Sequence, residues 1–411
     1  MLHCSKVLSE NPALKNPLLR KILAAGGLTR HGRLMEATTA IQRALSSVAP
    51  VPLRRAQAGP VAAPDSEAPR DLASVLDGFV REVKSNLSAA NDSGQAGVAE
   101  ADVVEPAAPP VVTRPARPRF TASSFTGAAG TRAFKLFEPA GFDDRPLPLV
   151  VMLHGCTQDP DDFAAGTRMN ELAQEQGFLV LYPAQAPRSN AHKCWNWFTP
   201  ADQQRGQGEP SLLAGMTRHV IDTHGIDADR VFVAGLSAGG AMAAILAREY
   251  PDLFAAAGVH SGVAPGAAHD VASAFMVMKT GPGPLRSARP VGATQATGAP
   301  IIVFHGDADT TVAPANGQAL ISDLVGGEPT AVSEASANIE PGKRAFERFV
   351  WRRADAAANA PSLAEHWVVH GSPHAWSGGA TAGSFTDPRG PDASREMFRF
   401  FNEHPRGRQS R

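Results

Sequence analysis

Three residue types in this chain could do nucleophilic chemistry together: a serine between small residues, acids in a later loop, and a histidine in a still later one. Gly235-Leu236-Ser237-Ala238-Gly239 fits the pattern G-x-S-x-G. A serine hydroxyl attacks a carbonyl only when a base takes its proton, and the base works best when an acid holds it. Small residues on both sides let the backbone turn sharply and let neighbouring elements come close. The plain alternative is a tight turn that contains a hydroxyl. The flanks argue for more, because RVFVAG reads as a strand and AGGAMAAILAREY as a helix ended by Pro251. A serine on a strand–turn–helix projects from the C-terminal edge of a sheet, with helix N–H groups beside it.

In that setting the chain order is serine, acid, histidine. The segment APIIVFHGDADTTVAP supplies Asp307 and Asp309, both in a loop after an apolar run. Asp309 lies further into the loop, where Thr310, Thr311 and Val312 can turn it back, and is preferred. Asp307 stays open, because residue chemistry does not separate the two. EHWVVHGSPHAWSGG supplies His374, in a loop shaped by Gly371, Pro373, Gly378 and Gly379. His370 closes the strand and is expected to hold the loop by hydrogen bonding. His154 and His305 take the same supporting role, each directly before a glycine. Their spacing is not that of a metal-ligand set, so neither metal nor cofactor is expected.

Negative charge developing on the substrate needs two aimed N–H donors. Ala238, next to the serine, gives one. The loop Gly155-Cys156-Thr157-Gln158 gives the other, through the Cys156 backbone. A Cys156–Cys194 disulfide would tie this loop to KCWNWF; the alternative is two buried thiols, as in a reducing compartment. Trp195, Trp197 and Trp376 fall in loops beside this chemistry and are expected to line a substrate cleft, against the usual fate of an aromatic as core. Trp351, in ERFVWRR, reads as helix packing.

The elements that must position these groups alternate. TRAFKLFEP, PLVVMLHG, FLVLYP, RVFVAG, FAAAGVHSG, APIIVFHG and EHWVVHG read as strands. DDFAAGTRMNELAQEQG reads as one helix and EPSLLAGMTRHVIDTHG as another. Residues 321–345 and 354–362 read as loops or short helices. Continuous apolar strands imply burial on both faces, hence an α/β fold with a mostly parallel central sheet flanked by helices.

The chain has 411 residues, 43% of them apolar, and a net charge of -1, so no global charge points to nucleic acid. No stretch reaches the ~18 uninterrupted apolar residues of a membrane span. The N-terminus shows no recognisable signal peptide, so the expected location is cytoplasmic. Residues 1–47 hold seven Lys or Arg against two Glu, and GRLMEATTAIQRAL has helical apolar spacing. This basic amphipathic segment either docks on the main domain or attaches to a surface or partner. Residues 48–118 are an Ala/Pro-rich linker with one helix-like stretch, DLASVLDGFVREVKSNL. The catalytic domain is expected over 119–411.

LHGCTQ, KCWNWF, GLSAGGAMAA, HGDADTTV and HAWSGG, in this order, resemble the polyhydroxybutyrate depolymerase family of esterases. That family belongs to the α/β-hydrolases and is related to feruloyl and acetylxylan esterases. The resemblance covers about residues 125–404. It implies a catalytic Ser237, Asp309 and His374, which favours Asp309 over Asp307. It also implies hydrolysis of poly(3-hydroxybutyrate) or short polyesters, with no cofactor. Small carboxylic esters are the alternative substrates. A non-catalytic protein attached to polyhydroxyalkanoate granules through the N-terminal segment is the alternative of another class. Many extracellular members carry a substrate-binding domain after the catalytic one; none is recognised here, which points to the intracellular or unassigned branch.

Overall fold

The computed structural model describes residues 115–142, 145–282, 298–325, 331–335, 341–352 and 361–408. Segment 1–47 and the linker up to residue 114, with its helix-like stretch, lie outside the described residues. Ten strands form one sheet in the order β1-β2-β4-β3-β5-β6-β7-β10-β9-β8. They are β1 (Arg119–Gly127), β2 (Gly130–Glu138), β3 (Leu147–Leu153), β4 (Leu179–Pro183), β5 (Ile226–Leu236), β6 (Ala256–His260), β7 (Ile301–Gly306), β8 (Ala331–Ala335), β9 (Phe346–Trp351) and β10 (Ala364–Val369). The six from β4 to β10 are parallel, and antiparallel strands close both edges. The short strands β11 (Trp376–Ser377) and β12 (Thr386–Asp387) pair with each other. This is an α/β-hydrolase-like fold with a mixed, largely parallel sheet flanked by helices.

The central strands have the composition their position demands. β3, β4, β6 and β7 are buried along their whole length. Helices cover the sheet: α1 (Pro160–Thr167), α2 (Met169–Gln176), α3 (Gly208–His224), α4 (Ala238–Glu249), α5 (Val271–Thr280), α6 (Ala315–Val325) and α7 (Ala393–Glu403). α7 is strongly amphipathic, and its aromatic stripe makes much of the core. Phe401 stacks on Phe232 of β5 at 4.8 Å and Phe398 on Phe178 at 4.0 Å. Among the described residues no helix is long and apolar enough to cross a membrane.

Four local readings are corrected by tertiary context. The expected single helix over 161–177 is two, broken at Arg168, whose φ is 55°. Its end is set from outside: Ala380 N–H takes the Gly166 carbonyl and the Ser394 hydroxyl takes that of Thr167. Trp351 is a strand residue of β9, not a helix residue, because ERFVW pairs with β10 on one side and β8 on the other. The stretch 321–345, read as loops or short helices, holds the end of α6 and the edge strand β8. The edge strand β1 differs from the expected set; its sequence RFTASSFTG is mostly polar, as suits an exposed edge paired only with β2, with Phe120 and Phe125 packing on Tyr182 and His219.

Candidate active site

From Val231 to Ala247 every residue is buried except Ser237. The serine sits between β5 and α4 with φ 57° and ψ −118°, a strained conformation for a residue with a Cβ. Its glycine neighbours are sterically required. A Cβ on Gly239 would collide with the Leu153 carbonyl of β3, and one on Gly235 with the Gly239 backbone. The turn is held by Ser237 N–H donating to the His260 carbonyl at the end of β6, 2.9 Å.

The loop after β7 carries both candidate acids, and the structure separates them. Asp309 is buried, and its Oδ2 lies 2.7 Å from His374 Nδ1. Its Oδ1 accepts the N–H groups of Thr311 and Val312, both at 2.8 Å. Burial pushes this carboxyl up, but the His374 bond and charge, with the Val312 N–H, outweigh it and hold it below the usual carboxylate range. Asp307 instead binds His370 Nδ1 at 2.8 Å and the Gly371 N–H at 2.6 Å, with both side chains 42% exposed. His370 therefore holds its loop, and His305 does likewise through Nε2 and the Val312 carbonyl, 2.9 Å.

His260, which the sequence reading missed, joins these parts. Its carbonyl holds the Ser237 turn, and its Nε2 accepts the Ser377 N–H at 3.0 Å from the loop that carries His374. Its ring stacks on Trp376 at 5.3 Å. Burial, then the charges of His305 and His374, lower its pKa to about 3, so it works as a neutral bracket. A fourth strand-end histidine, beside His154, His305 and His370, was the available signal.

The loop after β3 presents one free amide. Gly155 N–H donates to Gln158 Oε1 (2.9 Å), Thr157 N–H to the His192 carbonyl (2.6 Å) and Gln158 N–H to the Gly155 carbonyl (3.4 Å). Among the described residues the Cys156 N–H has no acceptor, and neither has the Ala238 N–H at the first turn of α4, where helix amides are unpaired. Gly155 abuts Ser237: a Cβ on it would lie 3.7 Å from the serine Cβ. Cys156 and Cys194 form a disulfide with a Cα–Cα distance of 4.2 Å. Such bonds persist in oxidising surroundings and are rare in the cytosol, which runs against the cytoplasmic expectation.

The three tryptophans expected in a cleft are buried. Trp195, Trp197 and Trp376 are 0%, 6% and 1% exposed. Trp195 Nε1 donates to the His154 carbonyl at 3.1 Å, and Trp376 Nε1 to the Ser394 hydroxyl at 3.1 Å. Indoles that satisfy their N–H internally, as Trp195 and Trp376 do, can be fully buried. Behind Trp195 lies a polar network the sequence did not reveal. Gln185 gives its backbone N–H to His154 Nε2 (3.1 Å) and its side-chain amide to the Cys194 carbonyl (2.9 Å) and to Glu209. Glu209 also accepts from Asn196 N–H (2.7 Å) and from Arg132 (3.4 Å). Burial, then the nearby charge of Asp202, push Glu209 up to about 7, while burial lowers His154 to about 4. A polar depression lined by Asp227, Arg230 and Asn402 lies at the other end of β5 and holds none of these groups.

Residues 132–333 match the family described as Esterase PHB depolymerase. The chain is 38% identical to poly(3-hydroxyalkanoate) depolymerase C of Paucimonas lemoignei, over 47% of this chain and 51% of that protein. It is 36% identical to feruloyl esterase B of Thermothelomyces thermophilus, over 34% and 47% respectively. It thus spans about half the length of these curated relatives. Acetyl xylan esterase from Aspergillus awamori shares the fold, with a TM-score of 0.53 and 21% identity over 69% of this chain and 99% of that one. The chain thus has an α/β-hydrolase-like fold, and its residues 132–333 are similar to the polyhydroxybutyrate depolymerase esterases and to feruloyl and acetylxylan esterases.

Proposed function

We propose that this protein is a serine hydrolase of carboxylic esters that works through an acyl-enzyme. His374 takes the Ser237 proton as the hydroxyl attacks the ester carbonyl. The Cys156 and Ala238 N–H groups hold the resulting oxyanion, and His374 returns the proton to the departing alkoxide. Water, activated by the same imidazole, then attacks the acyl-serine and releases the acid. Asp309 orients His374 and stabilises its charged form. One observation supports this reading: a partly exposed serine on a strained turn ends a central strand, two amides without acceptors lie in the adjoining loop and helix start, and a later loop carries a histidine bonded to a buried carboxylate.

Small soluble carboxylic esters are the favoured substrate class. Relatives named feruloyl esterase B and acetylxylan esterase A, at 35–38% identity, support this. A polyester such as poly(3-hydroxybutyrate), or its oligomers, is the second reading, favoured by the wider match to the Paucimonas depolymerase. A purely granule-binding role would need neither the strained serine nor the bonded histidine. The test is a fluorophosphonate label on Ser237 together with hydrolysis of an acetate ester, methyl ferulate and hydroxybutyrate trimer. Ser237→Ala should abolish both labelling and hydrolysis; unchanged values would refute the assignment, and the substrate rates rank the two readings.

A further inference from the structure

One large apolar side chain is held out beside His374. Phe385 is 45% exposed, the large hydrophobic residue left in solvent among the described residues. Its ring stands edge-on to the His374 imidazole, with centroids 6.5 Å apart and planes at 76°. A lone exposed aromatic needs no explanation; the way this one is fixed does. Phe385 has φ 52°, a conformation that is an outlier for a bulky residue. Among the described residues six non-glycine residues have positive φ: Thr157, Arg168, Lys193, Ser237, Ser261 and Phe385. Arg168 breaks a helix; Ser237 is the candidate nucleophile, Thr157 and Lys193 adjoin the Cys156–Cys194 bond, Ser261 follows His260, and Phe385 stands beside His374, so strain gathers on the segments that build the site.

Both neighbours of Phe385 are clamped. Ser384 donates its N–H and hydroxyl to the Asp162 carboxylate, at 2.8 and 2.5 Å. Gln158 Nε2 reaches the Ser384 carbonyl and hydroxyl, each at 3.2 Å. The Phe385 carbonyl accepts the Trp376 N–H at 2.6 Å, and Thr386 starts β12 against β11. Gln158 is also the side chain whose Oε1 holds Gly155 N–H, one residue before the free Cys156 amide. The ring is thus tied on one side to the loop of His374 and on the other to the loop facing the oxyanion.

We propose that Phe385 is a specificity-determining wall of the substrate site. It packs against the apolar group on the ester carbonyl, an aromatic ring or an alkyl chain of several carbons, and so favours such esters over acetates. The proposal rests on the serine-esterase reading. An acetyl methyl is too short to gain from a ring beside the imidazole, whereas a longer acyl group can cover it. Apolar contacts of this kind discriminate by about tenfold upward.

The experiment compares the full-length chain with Phe385→Ala and Phe385→Leu on methyl acetate, methyl hexanoate and methyl cinnamate, by pH-stat titration, with fluorophosphonate labelling of Ser237 alongside. Phe385→Ala should raise KM and lower kcat/KM about tenfold for the hexanoate and cinnamate, and less than twofold for the acetate. Phe385→Leu should rescue the hexanoate but not the cinnamate. Labelling should proceed at the wild-type rate in every variant. An equal loss on all three esters would make Phe385 merely structural, and no loss on any would leave the wall without a role; either overturns the proposal. A wild-type chain that neither labels nor hydrolyses overturns the esterase reading itself, and the proposal with it.

Discussion

Asp307 and Asp309 are two residues apart and both bind a histidine of the same loop, so exchanging each for asparagine is a sharp test. In Asp309→Asn the new amide has one oxygen and one NH2. Thr311 and Val312 N–H both point at the Oδ1 position, at 2.8 Å, so the amide oxygen must sit there. The NH2 then faces His374 Nδ1, 2.7 Å from the present Oδ2. That nitrogen can now only accept, which moves the imidazole proton to Nε2 and leaves nothing to take the proton of Ser237. The fold is barely changed, while the active tautomer is lost. The expected fall in kcat is about 10⁴-fold, or about 5.5 kcal/mol in the barrier.

Asp307→Asn disturbs only the pair with His370 and the Gly371 N–H, in which each side chain is 42% exposed. A solvated pair of this kind is worth less than about 1 kcal/mol, so kcat should change less than threefold. The assay is kcat and KM on an acetate ester for wild type and both variants, with thermal melts to show that each is folded. If Asp309→Asn keeps activity within tenfold of wild type, or Asp307→Asn is the variant that loses it, the assignment of the acid is wrong.

Two further outcomes test what supports the site. Opening the 38-residue loop closed by Cys156–Cys194 with Cys194→Ser should cost about 4 kcal/mol on the chain-entropy scale and lower kcat at least tenfold, by freeing the loop that aims the Cys156 N–H; denaturant unfolding and kcat read the two effects, and an unchanged kcat removes the bond from the oxyanion argument. Stability should also fall on acidification from pH 7.5 to 5.5. His154, His260 and His366 have folded-state values of about 4, 3 and 3, below the ordinary 6.5, so the unfolded chain binds more protons and the three lose roughly 4 kcal/mol together. Glu209, raised to about 7, has the opposite sign: its contribution is full below the ordinary 4.5, fades as pH rises through about 7, and so offsets part of that loss at pH 5.5. Urea unfolding should show a net loss in wild type and a larger one in Glu209→Gln; a wild type more stable at pH 5.5 would refute the neutral histidines.

The parallel strands were legible because burial on both faces leaves a continuous apolar run, and the tight turn at Ser237 was legible because a strand-to-helix turn needs Gly235 and Gly239. What failed in the sequence depended on partners distant along the chain. Arg168 breaks a helix because Ala380 and Ser394 claim the carbonyls before it. The three tryptophans have the residue type of a cleft, but indole N–H bonds to His154 and Ser394 take two of them inside. Phe385, which is exposed, carries no local mark, since its fixing comes from Asp162 and Gln158 more than 200 positions earlier. Residue chemistry left Asp307 and Asp309 open because both follow β7; only the course of the β10 loop decides which one meets His374.

That course follows from the strand order. Ser237 ends β5, Asp309 follows β7 and His374 follows β10, while β6 lies between the first two. Neighbouring strands are about 4.8 Å apart, so the serine is roughly 10 Å from the line of β7 and roughly 14 Å from that of β10. The later loops can reach it only by crossing the end of β6, which must therefore stop early and leave room. β6 has five residues and ends at His260, with Ser261 and Gly262 following it. Ser261 turns away with φ 49°, and a Cβ on Gly262 would press on Val259 and on the Gly240 backbone of α4. The residue left at the crossing must bond the serine turn on one side and the incoming loop on the other without carrying charge. A buried imidazole held neutral, with its carbonyl on Ser237 N–H and its Nε2 on Ser377 N–H, meets all three conditions. A leucine there would stack on Trp376 but leave the Ser377 N–H buried without an acceptor, at a cost of about 1–3 kcal/mol in the loop that carries the base.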